Sequence, residues 1–206
     1  MKHPSTRALY AYWNQKRGNR AAPNRADIDP AAIRHALGDT FMLAADFVDE
    51  LRFRLAGTRV CALFCREIKG EAFAELWSED SRDRIEALLA IVHDETLGAV
   101  AGVTARTADD ADADLEILLL PLAHVGHARI RALGVLAPLV PPYWLGEKPV
   151  VELVLGTLRH IGPETDSLGA PQFASTSVGG RRRHSFVVYS GGRETPSGEA
   201  DRLTRR

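Results

Sequence analysis

Residues 51–57, LRFRLAG, set Leu51, Phe53 and Leu55 in alternation with Arg52 and Arg54. A period of two is that of a strand with one buried face and one solvated face. TFMLAADF (40–47) precedes it across the polar turn Val48-Asp49-Glu50, so the two segments read as an antiparallel hairpin. Two strands cannot bury their apolar faces alone. The rest of the chain must supply further strands and a covering layer.

Three more strand segments follow later: Ala99 to Thr107, Leu115 to Leu122, and His127 to Leu139, which Pro138, Pro141 and Pro142 bring to a close. The apolar stretch Val150 to Ile161 fits a strand or a helix, because its periodicity favours neither. Between the hairpin and these strands the patterning is helical. Residues 58–65 start at Thr58, Ala72 to Trp77 form a short piece, and a longer helix capped by Asp80 or Ser81 runs to about Leu97. Ile85, Leu88, Leu89 and Val92 share one face of that helix. Joining the strands predicts an α+β domain, a five-stranded antiparallel sheet with helices over one face.

An N-terminal helical extension (1–38) precedes this core. A helix over about 5–17, capped by Ser5 or Thr6, carries Leu9, Tyr12, Trp13 and Lys16 at helical spacing and ends at Gly18. Asp29-Pro30 opens a second helix that runs to about Leu37 and stops at Gly38. The core spans 39–161. Residues 162–206 form a Gly/Pro/Arg-rich tail expected to be partly disordered, with SFVVY (185–189) as an island suited to an added strand.

Charge narrows the function classes. Lys and Arg number 26 and Asp and Glu 27, a net charge of −1, which argues against a dedicated nucleic-acid binder. The ends are basic, Arg181 to Arg183 included, and Asp109 to Glu116 is acidic. The run of three arginines reads as a solvated tail. No apolar run reaches the roughly 18 residues that span a bilayer, and the start has no stretch of signal-peptide length, so the expected compartment is the cytoplasm. Signatures such as GxSxG, HExxH, a Walker loop or GxGxxG are missing, and no catalytic residue is assigned, so the chain reads as a non-enzyme.

Several segments in order carry a family likeness: LYAYWNQKRGNRAAPNRADIDPAAIRHALGDTFML, FRLAGTRVCALFCREIKGEAFAELW, PYWLG and LGTLRHI. Together they resemble the PAS domain, in particular the bacterial, commonly stand-alone PAS_5 subfamily. The resemblance implies a cytoplasmic sensory or regulatory module that binds a small molecule, a protein partner or both and signals in trans. It implies no common ligand and no catalytic residues. The alternative is a ligand-free dimeric scaffold.

The inward pattern nominates Phe53, Leu55, Phe64, Trp77, Leu89 and Val92 as a ligand pocket, although a dry core would use the same residue types. Arg54 beside Gly57 and Thr58 suits an anion near a helix start, while a turn and a cap explain the same residues. Leu9, Tyr12 and Trp13 are expected either to pack on the chain's own sheet or to form a homodimer or partner interface. Cys61 and Cys65 read as small core hydrophobes, since two thiols fall short of a zinc site. Phe64-Cys65-Arg66-Glu67 departs from the Asn-Cys-Arg-Phe-Leu-Gln context of flavin-type light sensors. His93 is a weak match for a haem ligand and a good one for the last turn of a helix. His124 and His127 flank a turn. No metal is assigned, haem and flavin are disfavoured, and the cofactor is left unknown.

Overall fold

The computed structural model describes residues 1–45, 50–123 and 131–162, with the backbone of 182–183 and 186–187. The chain divides into two units, Met1–Gly169 and Ala170–Arg206. In the second unit, β7 (Arg182–Arg183) and β8 (Phe186–Val187) pair antiparallel with each other. The expected docking of SFVVY falls largely outside the described residues.

The first unit is built on β1 (Thr40–Ala45), β2 (Leu51–Ala56), β3 (Gly98–Thr107), β4 (Ala113–Leu122), β5 (Arg131–Pro138) and β6 (Val150–Ile161). They form one antiparallel sheet in the order β2-β1-β5-β4-β3-β6. The expected hairpin is present. The sheet has six strands rather than five, because Val150–Ile161 is a strand paired along β3. Its register shifts opposite Gly102. That shift breaks the alternation of β6, which is why its period was uninformative in the sequence.

The middle helices cover one face, as expected, and the N-terminal helix covers the other. On the inner face lie α2 (Thr58–Phe64) and α3 (Glu79–Asp94), with a 3-10 turn at Ala74–Leu76 between them. Val60, Leu63, Ile85, Leu88 and Val92 pack there against Phe41, Leu43, Val103, Ile117 and Leu153. On the outer face lies α1 (Pro4–Arg17), whose Leu9 and Trp13 meet Val100, Leu118, Leu120, Leu133 and Val135. β4 is therefore buried on both sides, which explains its unbroken apolar run from Ile117 to Leu120.

The helix starts differ in detail from their expected caps. The N-cap of α1 is His3, whose side chain accepts from the Ser5 N–H at 3.2 Å, with Pro4 at the first helical position. Ser5 and Thr6 are buried inside the first turn. The expected helix from Pro30 to Leu37 is instead two 3-10 turns, Pro30–Ile33 and Leu37–Asp39. Ile33, Ala36 and Asp39 are the buried positions there, and a spacing of three is the 3-10 period. Gly57, not Thr58, is the N-cap of α2. A side chain at Gly57 would lie 2.1 Å from the Leu37 carbonyl and 2.4 Å from that of Gly38, so this glycine serves a backbone-on-backbone approach.

Both outer strands have occupied flanks. Along β2, the Phe53 N–H donates to Glu71 O, and Gly70 and Phe73 donate to Phe53 O and Leu51 O. Along β6, Ser78 N–H donates to Leu153 O, Leu155 N–H donates to Ser81 Oγ, and Arg84 donates to Leu155 O and Gly156 O.

Candidate functional site

The inner face is an aromatic wall. Phe41 comes from β1, Phe53 from β2, and Phe73 and Trp77 from the segment that flanks α3. Ring centroids lie 5.6 Å apart for Phe41–Phe53, 5.7 Å for Phe41–Phe73, 5.5 Å for Phe53–Phe73 and 5.7 Å for Phe73–Trp77. These separations lie in the favourable range for tilted and offset pairs. Gly134 on β5 makes room for the wall, since a Cβ there would meet the Phe41 ring at 2.3 Å.

Five of the expected pocket residues meet in this cluster: Phe53, Phe64, Trp77, Leu89 and Val92 are all buried in it. Leu55 is not among them. β1 pairs Leu43 with Phe53 but Met42 with Leu55, so Arg54 is an extra residue in the ladder. The bulge turns the alternation over, leaving Leu55 45% exposed and Arg54 on the surface.

One polar atom stands out on the inner face. The indole Nε1 of Trp77 is fully buried and has no hydrogen-bond partner among the described residues. Buried indole N–H groups ordinarily find an acceptor, and leaving one unmet costs about 1–3 kcal/mol. Among the described residues the site thus presents one unmet donor within an apolar, aromatic surround. That chemistry suits a largely apolar molecule with one well-placed acceptor.

The remaining nominated residues lie elsewhere. Cys61 is half-buried and packs against the inner core as a small hydrophobe, whereas Cys65 is exposed and does not. Cys65 sits past the last turn of α2 with φ 52°, in the left-handed cap position. Burial pushes the Cys61 thiol up from its ordinary value, and the nearby Glu67 adds to this. His93 is 48% exposed in the last turn of α3, 3.8 Å from Asp94. Among the described residues no cluster of His, Cys, Asp and Glu is placed to hold a metal ion. His124, His127 and the side chains of Arg181 to Arg183 lie outside the described residues.

On the outer face Leu9 and Trp13 are covered by the chain's own sheet, and Trp13 Nε1 donates to Pro121 O at 2.8 Å. Tyr12 is half-buried; its hydroxyl accepts from Asp29 N–H at 2.7 Å and donates to Asp27 O at 3.3 Å.

Sequence reasoning missed two buried carboxylates. Asp39 accepts from Ser5 Oγ and from the Arg59 guanidinium. Glu116 accepts from the backbone N–H groups of Lys2 at 2.7 Å and His3 at 2.9 Å. Burial pushes Glu116 up, but those two donors together with smaller contributions from its surroundings, the N-terminal ammonium among them, outweigh it and hold the carboxyl below its ordinary range. Asp39 lies 34 positions from Ser5 and 20 from Arg59, and Glu116 more than 110 from its donors. No local pattern could have joined them.

The sequence profile of the PAS_5 family, described as a PAS domain, matches residues 1–137. That span runs from α1 through nearly all of β5 and stops short of β6. Among solved structures, the PAS domain of the protein from Colwellia psychrerythraea is similar at 13% identity and a TM-score of 0.39, covering 53% of this chain and 97% of that one. No curated protein matches. Among the described residues no helix is long and apolar enough to cross a membrane.

Proposed function

Since this chain belongs to the PAS domain family, a family of sensory and regulatory modules, we propose that it is a ligand-responsive regulatory domain that signals by changing what it binds. The ligand is a small, mainly apolar molecule carrying one hydrogen-bond acceptor. It enters between the inner face of the sheet and α2 and α3, beside Phe53, Phe64, Trp77, Leu89 and Val92. The protein acts on a partner in the cytoplasm and catalyses no reaction itself. The observation that carries this reading is the unmet indole donor of Trp77 inside an otherwise apolar wall.

Native mass spectrometry of the protein as purified tests it, alongside the Trp77→Phe variant. A mass excess that disappears on denaturation, and that is weaker in Trp77→Phe, is the expected result. A clean protein mass in both, with no stabilisation by any member of a metabolite panel, overturns it.

A second reading has its own support. The four aromatic rings contact one another directly, as they would in a core that takes no ligand. The chain would then be a dimeric scaffold. Light scattering at twice the protomer mass, together with a clean protein mass, favours that reading.

A further inference from the structure

Asp39 lies in the turn that leads into β1 and is 2% exposed. Its Oδ2 accepts from Ser5 Oγ at 2.6 Å, and Ser5 belongs to the first turn of α1. Arg59, in the first turn of α2, donates from Nε to Oδ1 at 2.6 Å and from Nη2 to Oδ2 at 2.7 Å. The same Nη2 reaches His35 O at 3.3 Å. A two-pronged guanidinium–carboxylate pair fixes distance and orientation together. One buried carboxylate is thus held by two helices that pack on opposite faces of the sheet.

The surrounding backbone makes this joint stiff. Gly57 sits against the Leu37 and Gly38 carbonyls with no room for a side chain, and the Arg59 guanidinium fills the space beside Gly38. Gly57 N–H also donates to Thr40 O at 2.8 Å, and Thr40 Oγ1 to Ala36 O at 2.8 Å. A shift of the start of α2 must therefore move the turn that carries Asp39. The other hold on the start of α1 is Glu116, which belongs to β4 at the centre of the sheet and has no share in α2.

We propose that Asp39 is a positioning residue that couples α2 to α1, so that the docking of α1 on the outer face depends on where α2 sits on the inner face. The coupling is a property of the folded chain and holds whether or not the inner face takes a ligand. It gives a change on the inner face a route to the opposite surface.

Amide hydrogen exchange on the full chain tests this without any ligand. Arg59→Gln removes the fork and keeps a polar side chain. Exchange across α1 is expected to rise by about tenfold, with α3 and β4 little changed. Arg59→Lys is expected to fall between, because an ammonium restores the charge but not the fork. Ser5→Ala, the milder change, is expected to speed exchange in α2 as well as α1, since coupling between two sites is reciprocal. The double variant is expected to exchange no faster in α1 than the stronger single one. An α1 that exchanges at the wild-type rate in Arg59→Gln overturns the proposal. So does equal acceleration in every element, which would mean only a general loss of stability.

Discussion

Both faces of the sheet bury tryptophan, Trp13 on the outer face and Trp77 and Trp144 on the inner, and the indoles of Trp13 and Trp77 are treated differently. Trp13 on the outer face donates to Pro121 O, so its polar atom is met. Trp77 on the inner face is as deeply buried and its donor is unmet. The other buried apolar residues of the outer face are aliphatic, drawn from α1, the segment that follows it and the central strands, with Tyr10 and Tyr12 half-buried at its margin. The inner face holds five further aromatic residues, Phe41, Phe53, Phe64, Phe73 and Trp144, and is roofed by two helices. Thr6 Oγ1 in the first turn of α1 is also buried without a partner among the described residues, so the contrast lies in the surround: Trp77 offers its unmet donor among aromatic rings, where a guest with an acceptor would meet it. The two faces therefore differ in what they offer, a met indole beneath α1 and an unmet one beneath α2 and α3.

The comparison can be broken most severely at the point where both faces meet. Gly57→Ala drives a Cβ into two backbone carbonyls that cannot step aside, and a loss above about 3 kcal/mol is expected in chemical denaturation. A merely local effect would show that the joint between α2 and the turn before β1 is soft. Gly134→Val acts on one face only. Its side chain would enter the space of the Phe41 ring and approach Leu118 O. A loss of about 2 kcal/mol is expected, with the near-ultraviolet circular dichroism of the aromatic wall altered.

A local effect of pH sharpens the contrast from the outer side. Glu116 has a folded pKa below its ordinary 4.5. The hold it gives to Lys2 and His3 is therefore complete above that ordinary value, and is lost as pH falls through the lower, folded one. Amide exchange in the first turn of α1 should rise over that acid range before the sheet unfolds. In Glu116→Gln the rise should be present already at neutral pH and show little further pH dependence. The smallest expected contrast compares the indoles themselves. Trp13→Phe leaves Pro121 O without its donor, whereas Trp77→Phe removes a donor that had no acceptor. Denaturation should show Trp13→Phe to be the more costly by about 1 kcal/mol. Equal costs would mean that Trp77 Nε1 is met by ordered water.

Much of the architecture was legible because it rests on local pattern. The alternation before Gly57 marks β2, and the helical spacing of Ile85, Leu88, Leu89 and Val92 marks the buried face of α3. The errors lie where a single residue resets a period. One extra residue at Arg54 sends Leu55 outward, and a register shift beside Gly102 hid β6. The placement of α1 was open for another reason. An amphipathic helix shows that it has an apolar face, not which side of a sheet that face will cover. The aromatic wall could be read because its members are apolar and close to elements already recognised. Asp39 and Glu116 could not, since a carboxylate that will be buried looks like any surface acid until its distant donors are known.

The flanks of the sheet carry a last consequence. With the backbone of β2 engaged by Gly70–Phe73, and that of β6 by Ser78, Ser81 and Arg84 over Leu153–Gly156, those stretches provide no template for strand addition. Edge-to-edge growth, the usual hazard of an open sheet, is blocked there without a proline or an inward-pointing charge in either strand. Any stable pairing with another protein along these stretches must be made by side chains, so its specificity is set by sequence and not by the generic backbone ladder that drives fibrils.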